Sequence, residues 1–346
     1  MVSPFVLGRR LQGWTRPTKG DDVRRVRVLA TAALTATLLT GCVRSVEVDP
    51  TGSPTPTSTS TSTSTSSPET IPSSSTTSSP SLHETDVPGT LRVAISFDQP
   101  GVGLREDDTY TGLDADVARY IARYLGVPRI TFVEALTDQR ETLLATGQVD
   151  LVLAAYSMTP ERAEDVTFAG PYLSTGQDLL VRTTSTIRKP AQLSGSTVCS
   201  VQGSQSTTEL VANYPGLHLT MRPRISECVD LLEQRQVDAV TSDAAILRSF
   251  ARTSASPDKW RTSGRPFTTE RWGVAMRRED TALCEDVHDA LADMVETGEW
   301  KRSVRDNLGT RKQIGKRTAT PPKLAPCPEP RTPSTSGTDG PSPSSS

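Results

Sequence analysis

Four short segments carry residue types that can handle a small charged molecule. One is Ala155-Tyr156-Ser157-Met158-Thr159-Pro160-Glu161-Arg162, which follows a short apolar run. Thr159 suits a helix N-cap and Pro160 the first helical position. That order predicts a helix start, whose free N–H groups and dipole favour an anion. Arg162 would sit in the first turn, and its guanidinium fork can grip a carboxylate with two hydrogen bonds. A small residue at Ala155 lets a ligand approach the backbone. Taken alone, Arg162 reads equally well as a surface arginine paired with Glu161 or Glu164. Ser242-Asp243 ends another apolar run. A carboxylate there can bind an ammonium group or simply cap the next helix. Gln202-Gly203-Ser204-Gln205-Ser206 is a glycine turn into a helix start, and offers backbone N–H groups near Ser204 and Gln205. It lacks the Gly-Lys-Ser or Gly-Lys-Thr ending of a phosphate loop, which argues against nucleotide binding. Ser96-Phe97-Asp98-Gln99-Pro100-Gly101 is a polar-aromatic loop after a fourth apolar run.

The stretch from about Gly89 to Leu308 alternates short β runs with amphipathic helical patterns. Strands are expected at Leu91–Ile95, Ile130–Val133, Leu151–Ala154 and Asp178–Arg182. Helices are expected at Asp114–Leu125, with Val117, Ile121 and Leu125 on one face, and at Asp138–Thr146. The pattern then restarts with strands Thr197–Val201, Leu217–Met221, Ala239–Thr241 and Gly273–Met276. Ser206-Thr207-Thr208-Glu209 reads as a capping box opening a helix. Further helices are expected at Glu227–Arg235, at Ala244–Ala251 with Asp243 as its cap, and at Leu283–Thr297. Such alternation predicts an α/β fold with mainly parallel sheets, and two successive blocks predict two lobes. Ligands of open α/β sheets bind beyond the carboxyl ends of strands. That rule selects the loops after Ile95, Ala154, Val201 and Thr241, which are the four segments above.

Six motifs run in one order: Leu91-Arg92-Val93-Ala94, Gly112-Leu113-Asp114-Ala115-Asp116-Val117-Ala118, Gln148-Val149-Asp150-Leu151, Thr159-Pro160-Glu161-Arg162, Val166-Thr167-Phe168-Ala169-Gly170-Pro171-Tyr172, and Val237-Asp238-Ala239-Val240-Thr241-Ser242-Asp243. Over about 220 residues the chain resembles the family 3 extracellular solute-binding proteins, the amino-acid receptors of ABC importers. Phe97-Asp98-Gln99-Pro100-Gly101, Cys199-Ser200-Val201 and Ser226-Glu227-Cys228-Val229 are similar to the actinobacterial glutamate-binding branch. The resemblance implies a periplasmic-binding-protein-like fold of type II with the ligand cleft between lobes. Lobe 1 would be residues 89–181 plus 269–312, and lobe 2 residues 182–268. Arg162 would hold the ligand α-carboxylate, helped by Ser157, the backbone near Ala155 and the N–H groups near Ser204 and Gln205. Asp243 would take the α-ammonium, and Phe97 or Gln99 would line the side-chain end. Ala155 departs from the glycine that many relatives have. Glutamate is the first expected ligand, then glutamine, asparagine or aspartate. A second carboxylate needs a cation: Arg105, Arg140, Arg222 and Arg224 are candidates, with Arg140 favoured because a helix start after the second strand approaches the cleft in this fold.

The ends of the chain speak of export. Arg24, Arg25 and Arg27 precede the apolar run Val28–Leu39, which is too short to span a bilayer and ends at Leu39-Thr40-Gly41-Cys42. That order resembles a bacterial lipobox, in which Cys42 would be lipidated and residues 1–41 removed as a signal peptide. Gly20-Asp21-Asp22 suits an n-region poorly, so translation could start at Val23. Residues 42–88, dominated by Ser, Thr and Pro, read as a tether, and residues 313–346 as a disordered tail. The expected location is the outer face of the cell membrane, through a lipid anchor. Without Cys42, four cysteines remain, and outside the cytoplasm an even number favours two disulfides. Three pairings are open; the lobe arrangement that the resemblance implies favours Cys199–Cys228 and Cys284–Cys327.

A formal net charge of -2 without a dense basic block, and aromatics at only 5% of residues, argue against nucleic acid. No zinc-site spacing is present, and no cofactor or metal is expected. An ABC permease is the expected partner. A sensor signalling to a membrane partner needs the same cleft. A prephenate-type dehydratase on the same fold would need a proton donor there. His83, His218 and His288 fall outside the cleft loops, which leaves Asp98 and Glu209 as the acids for that reading.

Overall fold

The computed structural model describes residues 89–253 and 257–329. The expected signal segment 1–41 with Val23, the expected lipidation site Cys42, the expected tether 42–88 with His83, and residues 330–346 lie outside the described residues. The chain opens with strand β1 (Leu91–Ile95), then the short strands β2 (Asp98–Gln99), β3 (Gly103–Glu106) and β4 (Thr109–Thr111). Helix α1 (Leu113–Tyr124) follows, and buries Val117 and Ile121 completely. Each such side chain contributes about 1.5–3 kcal/mol relative to exposure. Gly126, at φ +70°, ends the helix by turning its N–H back to Arg123 O. Strand β5 (Ile130–Glu134), a single 3₁₀ turn (Thr137–Gln139), helix α2 (Arg140–Ala145), strand β6 (Leu151–Val152) and strand β7 (Val166–Thr175) complete the first pass.

The chain then enters a second sheet. It runs through β8 (Gln177–Arg182), β9 (Thr197–Val201), α3 (Gln205–Asn213), β10 (His218–Arg222), α4 (Ile225–Glu233), β11 (Ala239–Asp243), α5 (Ala244–Thr253) and β12 (Trp260–Thr262). It returns by β13 (Glu270–Arg277), then α6 (Thr281–Glu296), α7 (Glu299–Leu308) and α8 (Arg311–Thr318). The lobe 1 sheet has the order β5-β1-β6-β13-β7, and the lobe 2 sheet β10-β9-β11-β8-β12. Fold class is as expected, an α/β protein of two lobes. The sheets are more mixed than expected: β13 runs antiparallel to β6 and β7, and β8 antiparallel to β11 and β12. The reversed strands are those that flank the two chain crossings. β2, β3 and β4 form a small antiparallel sheet where the sequence suggested only a loop.

The first crossing lies at Gly176, not after residue 181, because all of β8 belongs to the lobe 2 sheet. A Cβ on Gly176 would stand 2.3 Å from Thr268 O, so the two crossings touch through a position that only glycine fills. Gln177 N–H donates to Thr268 Oγ1 at 2.8 Å, and Phe267 N–H to Gln177 O at 2.9 Å. β7 was not expected as a strand because Gly170-Pro171 interrupts it. It is the edge strand of its sheet, where proline is tolerated.

The segment 313–329, expected as disordered tail, is docked. Ile314 and Thr318 are buried, and the Arg317 guanidinium donates to Thr175 O (3.3 Å) and Thr268 O (3.0 Å), one on each crossing. Ala325 N–H donates to Gly170 O on the β7 edge at 2.7 Å. Cys327 is bonded to Cys284 of α6, with Cα atoms 6.0 Å apart. Cys199 of β9 is bonded to Cys228 of α4, with Cα atoms 5.4 Å apart. A few apolar anchors, a strand edge and a covalent tie hold a segment whose composition alone suggested no order.

Candidate functional site

The loops that follow β1, β6, β9 and β11 converge between the lobes around a cavity of about 40 Å³. Roomier grooves lie elsewhere, one of about 570 Å³ lined by Met158, Phe168, Pro326 and Glu329, but none of them is lined by Arg140, Arg162 or Asp243. Lobe 1 contributes Gln99, Arg140, Ala155, Ser157 and Arg162 to the cavity wall. Lobe 2 contributes Ser204, Gln205 and Asp243, with Ser206, Ile225 and Ile246 beside them. Of the nine residues assigned to the ligand from sequence, Phe97 alone stays out. Its ring packs on Tyr110 at 5.2 Å, within the cluster that supports the β2–β4 sheet.

The backbone after β6 is the strained part of the site. β6 stops at Val152, two residues earlier than expected, because Ala154 and Ala155 adopt φ of +41° and +49°. Left-handed conformations cost a non-glycine residue about 1–3 kcal/mol, which the surroundings must offset. Two partners do so. Ala155 N–H donates to the Asp114 carboxylate at 2.9 Å, and Ala154 O accepts from Arg140 Nη2 at 2.5 Å. The positive φ at Ala155 explains why glycine suits this position. Asp114 is fully buried and also accepts from the Tyr172 hydroxyl at 2.7 Å. Burial pushes its carboxyl up to about 6, against these two hydrogen bonds.

Thr159–Asp165 is not the helix expected there. Only a 3₁₀ turn forms, Arg162–Glu164, since β7 begins at Val166 and leaves no length for an α-helix. Thr159 Oγ1 still accepts the Arg162 N–H at 3.3 Å. Free helix-start N–H groups therefore come from the other side, at the start of α3. Ser204 is its N-cap and accepts from Thr207 N–H at 3.1 Å, so the capping residue stands two positions before the expected Ser206. The first-turn N–H groups of such a helix lack intrahelical partners and face the cavity edge.

Two guanidinium groups share this space. Arg162 donates from Nη1 to Ser157 O (3.0 Å) and from Nη2 to Gly203 O across the cleft (3.2 Å). Arg140 is only 5% exposed, and its Nε has no hydrogen-bond partner. Both carbons Cζ lie 4.9 Å from the centre of the Tyr156 ring, a cation–π arrangement that tolerates two charges at close range. Burial and then the Arg162 charge pull the Arg140 guanidinium down to about 10, still protonated at neutral pH. The other arginine candidates are committed elsewhere: Arg105 bonds Asp107 O, Arg222 bonds Met221 O, and Arg224 pairs with Glu134.

Asp243 ends β11 with its carboxylate accepting from the Trp272 indole N–H at 2.5 Å. It does not cap α5, whose first N–H groups go to Gly176 O and Thr175 Oγ1. Burial raises its carboxyl, and the neighbouring Glu270 charge raises it further. Glu270 was missed in the sequence. It opens β13 at the second crossing, is 6% exposed, and accepts from Thr268 Oγ1 at 2.9 Å. Neither Glu270, Trp272 nor Asp114 follows a cleft-facing strand end, so the strand-end rule did not reach them. The acids considered for a dehydratase do not face the cavity. Asp98 accepts from Ser226 N–H, and Glu209 bonds Asn213 on the outside of α3. Among the described residues no group of three or more His, Cys, Asp or Glu is placed to hold a metal.

Buried charges of both signs, strand-end loops and a helix start, set between two lobes that share two touching crossings, define a ligand receptor of the two-lobed kind. The chain belongs to the bacterial extracellular solute-binding proteins, family 3, whose pattern matches residues 91–310. It is similar to the glutamate-binding protein GluB of Corynebacterium efficiens, 36% identical over 238 residues that cover 65% of this chain and 81% of that one. The glutamine-binding protein GlnH of Bacillus subtilis is 31% identical over 192 residues, 55% of this chain and 69% of that one. Among solved structures, an ancestral arginine-binding protein bound to glutamine superposes with a TM-score of 0.61 at 28% identity, covering 65% of this chain and all of that one. The protein is a binding protein, not an enzyme. No helix among the described residues is long and apolar enough to cross a membrane.

Proposed function

We propose that this protein is a lipid-anchored receptor that captures glutamate for an ABC importer by closing its lobes, with glutamine, asparagine and aspartate as weaker ligands. The observation that carries this reading is the pair of guanidinium groups, Arg140 buried and Arg162 half-buried, facing one cavity with the buried Asp243. Arg162 and the N–H groups that open α3 take the α-carboxylate, and Asp243 takes the α-ammonium. Arg140, with its unpartnered Nε, is the cation for a side-chain carboxylate, and Gln99 lines the same end. Buried ligand charges are tolerated only when each is paired, and this set pairs all three charges of glutamate. The names of the corynebacterial and bacillar relatives support an acidic or amide ligand.

Titration of glutamate, glutamine, leucine and arginine in one buffer tests the assignment. Glutamate should bind most tightly; tighter binding of leucine or arginine than of glutamate or glutamine overturns it. Anchoring rests on Leu39-Thr40-Gly41-Cys42 after a short apolar run. Two or three acyl chains, at about 0.8 kcal/mol per buried CH₂, hold a protein on a membrane. Cys42→Ala should release the protein from carbonate-washed membranes; an unchanged membrane fraction rejects the anchor.

A further inference from the structure

Helix α4 belongs to lobe 2 and is tied to its sheet through Cys228 and Cys199. The residue at its N-cap position, Arg224, makes no capping hydrogen bond with its own side chain. The cap comes from the other lobe. Asp98, on β2, accepts the N–H of Ser226 at 3.0 Å, the bond that a capping carboxylate ordinarily makes within its own helix. Arg224 in turn reaches back into lobe 1, donating from Nε (2.9 Å) and Nη2 (2.8 Å) to the same carboxylate oxygen of Glu134 at the end of β5.

We propose that Asp98 and Glu134 of lobe 1 latch onto the start of α4 in lobe 2, and so set how long the closed cleft holds its ligand. Neither residue lines the cavity, yet Asp98 is the immediate neighbour of Gln99, which does. The loop that carries them is itself fixed: Gly101, at φ +72°, packs so closely on Asn307 that a Cβ would stand 2.6 Å from its carbonyl oxygen. A rigid loop on one lobe thus meets a helix rigidly held on the other. Opening the cleft separates Asp98 from Ser226 and Glu134 from Arg224, leaving the α4 N–H groups to water. The helix dipole adds to the attraction, because a carboxylate at a helix N-terminus meets partial positive charge. The latch makes no ligand contact. It acts by stabilising the closed state, and every ligand that needs closure gains the same factor.

This inference rests on the lobe-closure reading, and its test separates the two. The full chain carrying Asp98→Ala, and separately Glu134→Gln, is compared with wild type by small-angle scattering without ligand. Glutamate dissociation is then timed by stopped flow. Loss of a cap of this kind should speed glutamate release by roughly threefold to thirtyfold and increase the radius of gyration of the ligand-free protein. Asp98→Asn, whose carbonyl oxygen can still accept the Ser226 N–H, should recover most of both, which a general packing defect would not do. Thermal melting verifies that each variant folds. A folded Asp98→Ala protein with the wild-type radius of gyration overturns the latch, whatever glutamate does. Failure of glutamate to bind wild type overturns the ligand assignment, and leaves the scattering comparison to decide the latch.

Discussion

Lobe 1 and lobe 2 equip the same cavity in different ways. In lobe 1 three site residues are held from within the lobe: Arg140 by Ala154 O, Ala155 by Asp114, and Arg162 by Ser157 O, with Arg162 alone of the three also reaching lobe 2, at Gly203 O. In lobe 2 two of the important groups are held from across the cleft. The Asp243 carboxylate is fixed by Trp272 of β13, and the start of α4 is capped by Asp98. Only the α3 start is organised within its own lobe, by Ser204. The guanidinium half of the site is therefore prepared in one lobe, whereas the carboxylate half is completed at the seam. Preparing groups before the ligand arrives lowers the ordering cost of binding.

The largest test removes one charge from each half. Arg162→Ala and Asp243→Ala should each weaken glutamate binding by about a hundredfold to several thousandfold, since stranding one buried charge costs about 3–5 kcal/mol. Calorimetry on both should find this with melting temperatures near wild type. A variant within threefold of wild-type affinity removes that residue from the site.

Asp114→Asn probes the preparation of lobe 1. The amide cannot accept from both Ala155 N–H and Tyr172 hydroxyl without a clash, so one buried donor is left unpaired at about 1–3 kcal/mol. Denaturant titration measures this. The dependence on pH has a definite sign: the folded-state carboxyl of Asp114 is raised to about 6, above its ordinary value, so its contribution is fully present below about 4 and is lost as pH rises through about 6. Wild type should lose stability relative to Asp114→Asn across that window. A constant difference between them from pH 4 to 7 would reject the raised carboxyl.

Binding should carry the opposite pH sign. Asp243 must be ionised to meet an ammonium group, and burial together with Glu270 raises its carboxyl, while Arg162 and Arg140 oppose the rise. Glutamate affinity should therefore fall as pH drops from neutral through this raised range, and Asp243→Asn should flatten the profile. Equal slopes in both proteins would place the titrating group elsewhere.

The smallest effect belongs to the seam. Trp272→Phe keeps the ring bulk and removes the indole N–H from Asp243, at a cost of about 1.5–3 kcal/mol for a hydrogen bond to a charged group. Affinity at neutral pH should drop by roughly tenfold to a hundredfold, and the acid limb should move to higher pH. Were lobe 2 as self-sufficient as lobe 1, affinity and profile would both stay unchanged.

Local signals carried much of this architecture. β1 and β9 occur over the residues expected for them, because apolar β-branched runs bounded by polar turns have few alternatives. α1 was readable from Val117 and Ile121 on one face and from Gly126 beyond its end. The strand-end rule located Arg162, Asp243 and Ser204 in the loops that meet, since the carboxyl ends of strands in one sheet point to one side. Phe97 was misplaced because its type and position fit a cleft as well as the aromatic cluster it joins.

What only the tertiary structure decided lies where distant segments meet. Trp272 meets the Asp243 carboxylate, and Glu270 adds its charge beside it, because β13 returns along the second crossing, a path that no local pattern announces. Asp114 became a buried support for Ala155 only once α1 was packed beneath the loop after β6. Residues 311–329 gained order because Ile314, Ala325 and Cys327 found a core, a strand edge and a sulfur partner on surfaces built from other parts of the chain. Sequence period reports which face of an element is apolar. It does not report which partner covers that face, and here the charge pairing, the backbone strain and the helix cap across the cleft all depend on the partner.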